Sequence, residues 1–279
     1  MANGTGEVHI PVFGNVATRP TGDHTAEWQL VAETPGAFTP RPGEAYRFEF
    51  MGIPDVRDPD LEQLVDALVG TRATAVKALA LSGSPVTARA VRRLTDLPWL
   101  ESLDAYRMTD TGMDTIGKLT ELRRLHLDTS DVTDRGLAKI VGLAKLTDLS
   151  LACCPITDAG VEVLARFPTL TNVKLDGCHM LGDRAARTLA ALPNLCALGL
   201  VGCYRLTDRG LSSLATMPKL TYLGLARNGG FLLRLLRRFG VVGDTEVGSF
   251  SESAVQRVRD AHPDCDIWQS IDWAAVNRS

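Results

Sequence analysis

The chain has 279 residues, 45% of them hydrophobic, 23% charged and 6% aromatic, and 30 Lys plus Arg against 33 Asp plus Glu leave a formal charge of -3. That balance excludes wholesale disorder and gives no electrostatic case for wrapping nucleic acid. No run of about 18 apolar residues is available to span a bilayer, Met1–Glu7 lacks the basic stretch and apolar core of a secretory signal, and six cysteines are too sparse for a disulfide scaffold, so a cytoplasmic chain with free thiols is expected.

Residues 1–44 carry Val8-His9-Ile10-Pro11-Val12-Phe13 and Trp28-Gln29-Leu30-Val31, followed by a stretch rich in Pro and Gly (Pro35, Gly36, Pro40, Pro42, Gly43). This pattern predicts two short strands or a loose cap. Phe48, Phe50 and the helical run Leu61–Leu68 then read as a degenerate first coil. From Val76 onward the chain repeats itself. Segments beginning at Val76, Leu100, Leu122, Leu146, Leu170, Leu195 and Leu220 place apolar residues at their first, fourth and sixth positions, with spacings of 24, 22, 24, 24, 25 and 25 residues. A period of about 20 to 29 residues with an LxxLxL core predicts one short strand and one returning helix per unit.

The second half of each unit agrees. Val132-Thr133-Asp134-Arg135-Gly136-Leu137, Ile156-Thr157-Asp158-Ala159-Gly160-Val161 and Leu206-Thr207-Asp208-Arg209-Gly210-Leu211 recur, with Leu181-Gly182-Asp183 and Met108-Thr109-Asp110 as variants. Thr accepts a hydrogen bond from the orphan amides of a helix start, and Asp beside it suits the positive end of the helix dipole. Apolar residues at three-residue steps (Leu137, Ile140, Leu143; Leu211, Leu214, Met217) give each helix one inward stripe. Pro98, Pro168, Pro193 and Pro218 stand at the helix exits. A single coil cannot bury both its strand face and its helix face, so neighbours must stack. The predicted fold is an α/β solenoid with a curved parallel sheet on the concave side and helices on the convex side, over residues 45–268.

Gly229–Gly248 is an insertion that no other coil has, and residues 269–279 form a tail. Within the insertion, Phe231-Leu232-Leu233-Arg234-Leu235-Leu236-Arg237-Arg238-Phe239 has one basic and one apolar helical face. It suits an accessory contact with a membrane surface or partner groove, although packing on the last coils is favoured for so short a segment. Before the tail, Ser249-Phe250-Ser251-Glu252 predicts a capping box, and Ala254, Val255 and Val258 a last helix ahead of a closing strand.

The run Leu146–Ala165 resembles the pattern LxxLxLxxCxxITDxGLxxLA of the cysteine-containing class of leucine-rich repeats, found in F-box receptor proteins of ubiquitin ligases and in bacterial proteins. The ninth position is Cys154 there, and Cys178 and Cys203 in the next two coils; Ser84, Ser130 and Asn228 hold the slot elsewhere. The resemblance covers about residues 46–268 and implies a protein-binding surface without chemistry. In the F-box setting it implies substrate recognition for a ubiquitin ligase.

Three candidate sites follow. The slot residues Ser84, Ser130, Cys154, Cys178, Cys203 and Asn228 form a ladder, since neighbouring parallel strands lie about 4.8 Å apart. Small buried side chains bonding the turn backbone explain it better than zinc, which wants four converging ligands, so no metal is expected. The position between the two inward residues of each strand reads Asp104, His126, Ser150 and Lys174, an acid, base and nucleophile in the order that a serine hydrolase triad would need, but without an oxyanion hole or enclosing pocket. The favoured reading is a non-catalytic, cofactor-free, partner-binding concave face. It comprises Asp104, Tyr106, Arg124, His126, Asp128, Asp148, Ser150, Asn172, Lys174 and Asp176, then the small Ala197, Gly199, Val201 and Gly202, with Tyr222 and Arg227 as anchors.

Overall fold

In the computed structural model, which describes residues 7–23, 26–50, 58–81, 87–226 and 250–270, each leucine-rich segment from Val76 to Leu220 supplies one strand of a single sheet. The strands are β1 (Val8–Pro20), β2 (Gln29–Phe38), β3 (Glu44–Phe50), β4 (Val76–Leu81), β5 (Ser102–Ala105), β6 (Arg124–His126), β7 (Asp148–Ser150), β8 (Asn172–Lys174), β9 (Ala197–Leu200), β10 (Tyr222–Ala226) and β11 (Asp266–Ser270). From β3 to β11 every neighbour is parallel, and the sheet order follows the chain. The architecture is an α/β leucine-rich repeat solenoid.

Register explains why the sequence period works. Leu103, Leu125, Leu149, Val173, Leu198 and Leu223 pair in succession across β5 to β10, and all six are buried. Their neighbours in sequence must then face the other way, onto the open sheet. Behind the sheet lie α1 (Asp58–Gly70), α2 (Ala88–Val91), α3 (Asp110–Ile116), α4 (Asp134–Leu137), α5 (Asp158–Val163), α6 (Asp183–Ala190), α7 (Asp208–Leu214) and α8 (Glu252–Ala261). The stripe residues Leu137, Ile140, Leu143, Leu211, Leu214 and Met217 are all buried against it. Several helices are single turns that tighten into 3-10 turns at Arg92–Asp96, Ala138–Ile140 and Leu164–Arg166. A repeat of this length leaves few residues for the return, and the 3-10 turn covers more distance per residue.

The Thr positions cap as expected: Thr87, Thr133, Thr157 and Thr207 each accept from the backbone N–H two residues on. The Asp beside them does more than meet its own helix dipole. Asp110 accepts from Thr133 N and Oγ1 at 2.8 and 2.7 Å, Asp134 from Thr157 at 2.9 and 2.6 Å, and Asp183 from Thr207 at 2.8 and 2.6 Å. Each Asp therefore staples its coil to the next. Asp58 holds Thr87 in the same way, and Asp158 reaches only the Gly182 N–H because that cap has no hydroxyl. Thr109 follows a coil with Ala88 in the Asp position; its hydroxyl pairs with Thr111, and it makes no side-chain cap.

A second repeated feature lies where each strand ends. Arg107, Thr129 and Cys153 have φ of 56°, 55° and 59°, and Gly177 and Gly202, at the same position of later coils, have 74° and 78°. This left-handed residue turns the chain out of the sheet. It also aims the Thr129, Cys153 and Gly177 N–H groups at carbonyls of the following coil, at 2.7, 2.7 and 2.6 Å.

The ends differ from the sequence expectation in two respects. The N-terminal strands are long: β1 has 13 residues and β2 has 10, they pair antiparallel, and β1 pairs antiparallel with β3, so the hairpin extends the sheet. β2 runs through Pro35-Gly36, which a central strand would not tolerate; it is an edge strand, where a missing amide costs no ladder bond. At the other end the cap of α8 is Ser251, not Ser249. Asp208 draws in the Ser251 N–H and hydroxyl at 2.5 and 2.7 Å, repeating the inter-coil staple and moving the helix start two residues on. The insertion Gly229–Gly248, the segment Phe231–Phe239, Ser84, Arg227, Asn228 and Ser249 lie outside the described residues. No helix among the described residues is long and apolar enough to cross a membrane.

Candidate functional site

The parallel register turns alternating residues into rows along the open face. One row carries Ser102, Arg124, Asp148, Asn172, Ala197 and Tyr222, and the next carries Asp104, His126, Ser150, Lys174 and Gly199. Tyr106, Asp128 and Asp176 stand two residues beyond the second row.

The centre of this wall is a chain of alternating charge. Arg47 Nη2 lies 2.9 Å from Asp104 Oδ2, Asp104 Oδ1 lies 3.2 Å from His126 Nδ1, His126 Nε2 lies 3.4 Å from Asp148 Oδ1, and Asp148 Oδ2 lies 3.2 Å from Arg124 Nε. Arg47 belongs to the first coil and reaches over β4, where Ala78 and Ala80 leave room. Asp104 Oδ1 is buried without a directed hydrogen bond, so its contact with His126 is ionic. Burial works against charge on the His126 ring, but Asp104 and Asp148 on either side outweigh it and raise the pKa to about 9. His126 is therefore a cation at neutral pH. Asp148 is in turn held low: burial opposes this, and His126 and Arg124 together prevail.

The order Asp104, His126, Ser150 is present, but it is not connected as a triad. Both ring nitrogens of His126 face carboxylates, and the Ser150 hydroxyl donates to Asp128. A protonated imidazole cannot take a proton from serine. The expected hydrogen bond from His126 to Ser150 is replaced on both sides: His126 Nε2 meets charged Asp148, one row over, and the Ser150 hydroxyl meets Asp128.

Several side chains expected to meet a partner are engaged within the solenoid. Asp104 and Ser150 are buried. Asp128 accepts from the Ser150 hydroxyl and from Ala152 N at 3.0 Å. Asp176 accepts from Val201 N at 2.8 Å, and its carboxylate occupies the space of a Cβ at Gly199, 2.8 Å away; burial pushes its pKa up. Tyr106 is half-buried, and burial raises its phenol pKa. Asn172, Lys174 and Tyr222 remain exposed, and Arg124 is half-buried. Lys174 pairs loosely, 3.9 Å from Asp128 and 4.0 Å from Asp176. Asn172, Lys174 and Tyr222 rim a shallow concavity of about 310 Å³ that Val173, Ala197, Leu198 and Gly199 also line.

Sequence reasoning passed over a second hollow at the strand entries. Arg19, Lys77, Glu101, Arg123, Arg124 and Asp148 surround about 210 Å³ over Ala78 and Ser102. Its signal was in the repeat: the second position of successive units is Lys77, Glu101 and Arg123.

The described slot residues, Ser130, Cys154, Cys178 and Cys203, line neither hollow. Cys154, Cys178 and Cys203 are buried, and each thiol donates to a carbonyl of the coil before it, Leu127, Leu151 and Leu175, at 3.2 Å in every case. Ser130 accepts from Met108 N at 2.9 Å. Burial pushes the thiols of Cys154 and Cys178 up to about 12, and that of Cys203 well above its ordinary value. A disulfide-forming reagent at pH 8 is therefore expected to modify exposed Cys153 first and to leave these three untouched until the chain unfolds. Peptide mapping of the labelled native protein checks this; early labelling of Cys178 would contradict the buried ladder. No group of three or more metal-ligating side chains converges among the described residues.

Comparison with known proteins agrees with the repeat. The family profile described as leucine-rich repeat matches residues 142–165, one unit of the stack. Among solved structures, the chain is similar to an internalin from Listeria monocytogenes, with 15% identity and a TM-score of 0.47, over 74% of this chain and 56% of that one. This chain thus spans little more than half the length of the internalin. No curated protein matches it.

Proposed function

We propose that the chain is a non-catalytic protein-binding module, an intracellular scaffold or adaptor that holds a partner against its concave sheet. The observation that carries this reading is the open wall itself. After internal hydrogen bonds are assigned, Asn172, Lys174 and Tyr222 still project beside the flat patch of Ala197 and Gly199. Charged and aromatic groups around a flat floor let a partner's backbone approach closely while its orientation is set at the rim. Within that reading the repeats are of the cysteine-containing class, with the slot thiols serving as hydrogen-bond donors; that role needs reduced cysteine and supports a cytoplasmic address. Residues 1–44 act as the cap of the stack, 45–268 as the binding solenoid with its insertion at 229–248, and 269–279 as a tail.

The test is affinity capture from lysate with wild type and with Lys174→Ala and Tyr222→Ala. Each variant is expected to retain the wild-type melting temperature, since both positions are exposed and surface changes cost within about 0.5 kcal/mol. Each should weaken capture by roughly fivefold or more, the loss expected for truncating an anchor residue. Equal capture by all three proteins would place the binding surface elsewhere. Recovery of ligase subunits would convert the reading to a substrate receptor.

A further inference from the structure

The hollow at the strand entries has a composition that the solenoid does not require. Four cations, Arg19, Lys77, Arg123 and Arg124, line it with only two carboxylates, Glu101 and Asp148, in a chain whose formal charge is -3. Each carboxylate is already divided between two cations. Glu101 lies 3.3 Å from Lys77 and 4.0 Å from Arg123, and Asp148 meets Arg124 at 3.2 Å and His126 at 3.4 Å. The Arg19 guanidinium stacks 4.2 Å from the Trp28 ring centroid, which orients it at the rim. Its pKa is lowered, first by burial and next by Arg124, while Glu101 and Asp23 act the other way. The backbone amides at the strand entries are committed to inter-strand carbonyls, and the ligand-facing donors are the side chains.

We propose that this hollow is an oxyanion site that takes a group bearing two or more negative charges, with Arg123 and Arg124 as its principal donors and Lys77 and Arg19 completing the ring. Guanidinium groups offer paired N–H donors matched to phosphate and carboxylate oxygens, and an anion placed among like charges relieves their repulsion. A volume of about 210 Å³ admits a pyrophosphate or a pair of carboxylates. The same chemistry comes from two sources, a free phosphate anion or the acidic side chains of a peptide that continues into the neighbouring concavity. The two hollows share Asp148 and Asn172, so such a peptide would occupy both. A free anion needs no protein partner, whereas an acidic peptide would also occupy the concave surface, and in that case the inference rests on the function proposed above.

Isothermal titration of the full chain with inorganic pyrophosphate and, separately, with a hexaglutamate peptide tests it. Binding of either probe is expected at low salt, weakening as salt rises. The Arg123→Gln/Arg124→Gln variant should bind at least tenfold more weakly, Arg124→Lys should recover part of the loss, and Lys139→Gln, on the helix side, should bind as wild type. Thermal melts of each variant separate lost binding from lost fold. Pyrophosphate binding alone identifies a free-anion site, and peptide binding identifies an acidic segment. No binding of either probe overturns the proposal, as does binding that the Lys139→Gln change weakens as much as the Arg123→Gln/Arg124→Gln change.

Discussion

Gly160→Ala is expected to destabilise the chain by about 2 to 3 kcal/mol, although alanine is the better helix former by about 1 kcal/mol. Gly160 lies inside α5, and a Cβ there would fall on the Asp134 carboxylate, with Asp134 Cγ at 2.8 Å and Ile156 Cγ2 at 2.9 Å. That carboxylate holds Thr157 by two hydrogen bonds, and charged bonds of this kind contribute about 1.5 to 3 kcal/mol each. The added methyl must move the staple or the coil, and close-packed interiors charge about 1 to 3 kcal/mol for such intrusion. Gly136 and Gly210 sit under Asp110 and Asp183 in the same way, and in the coil where Asp158 makes only one bond the corresponding residue is Ala185. Urea unfolding of Gly160→Ala, Asp134→Ala and the double variant checks the account. In the Asp134→Ala background the same glycine change should be neutral or stabilising, giving a coupling of about 2 kcal/mol. A neutral Gly160→Ala in the wild-type background would show that the carboxylate does not occupy that space.

The second large effect is a loss of stability in mild alkali. His126 has its pKa raised from 6.5 to about 9 in the fold, so folding takes up a proton there. The stability this contributes is fully present below pH 6.5, is lost progressively as pH rises, and is gone above about 9. Each pKa unit corresponds to about 1.4 kcal/mol; with the ring 30% exposed, solvent screening reduces the total to about 1 to 2 kcal/mol. Asp148 is shifted down, so its contribution is present above its ordinary range and disappears only as the solution becomes acidic. Wild type should therefore be most stable between about pH 5 and 6.5 and weaken toward pH 9.5, whereas His126→Gln should lack the alkaline decline. Urea midpoints at pH 6 and 9.5 measure the difference. An NMR titration of the His126 ring gives the pKa directly, and a midpoint below 7 would refute the paired carboxylates.

These two effects mark where the sequence was legible and where it was not. The recurring Leu positions were enough to assign strands, the face each side chain takes and the stacking order, and hence to bring Asp104, His126 and Ser150 into one row. They did not reveal that His126 pairs with Asp148, or that Ser150 donates to Asp128, because those choices depend on side-chain directions across adjacent rows. Thr133 and Thr157 were legible as caps since a cap is local to its own helix. The Asp residues beside them were read as local too, and only stacking shows Asp134 reaching Thr157 and excluding a side chain at Gly160.

By itself, then, the sequence determined the periodic part of this protein: how many coils stack, which residues form the core, and which lie on the open sheet. Period and polarity act within one unit and repeat, so they can be read along the chain. The tertiary structure decided which polar groups remain free for a partner, that Arg47 of the first coil joins the charged wall, and that Arg19 of β1 gathers with other cations at the strand entries. Those are contacts between residues 22 or more positions apart, whose energies depend on distances of a few ångströms that no spacing along the chain encodes.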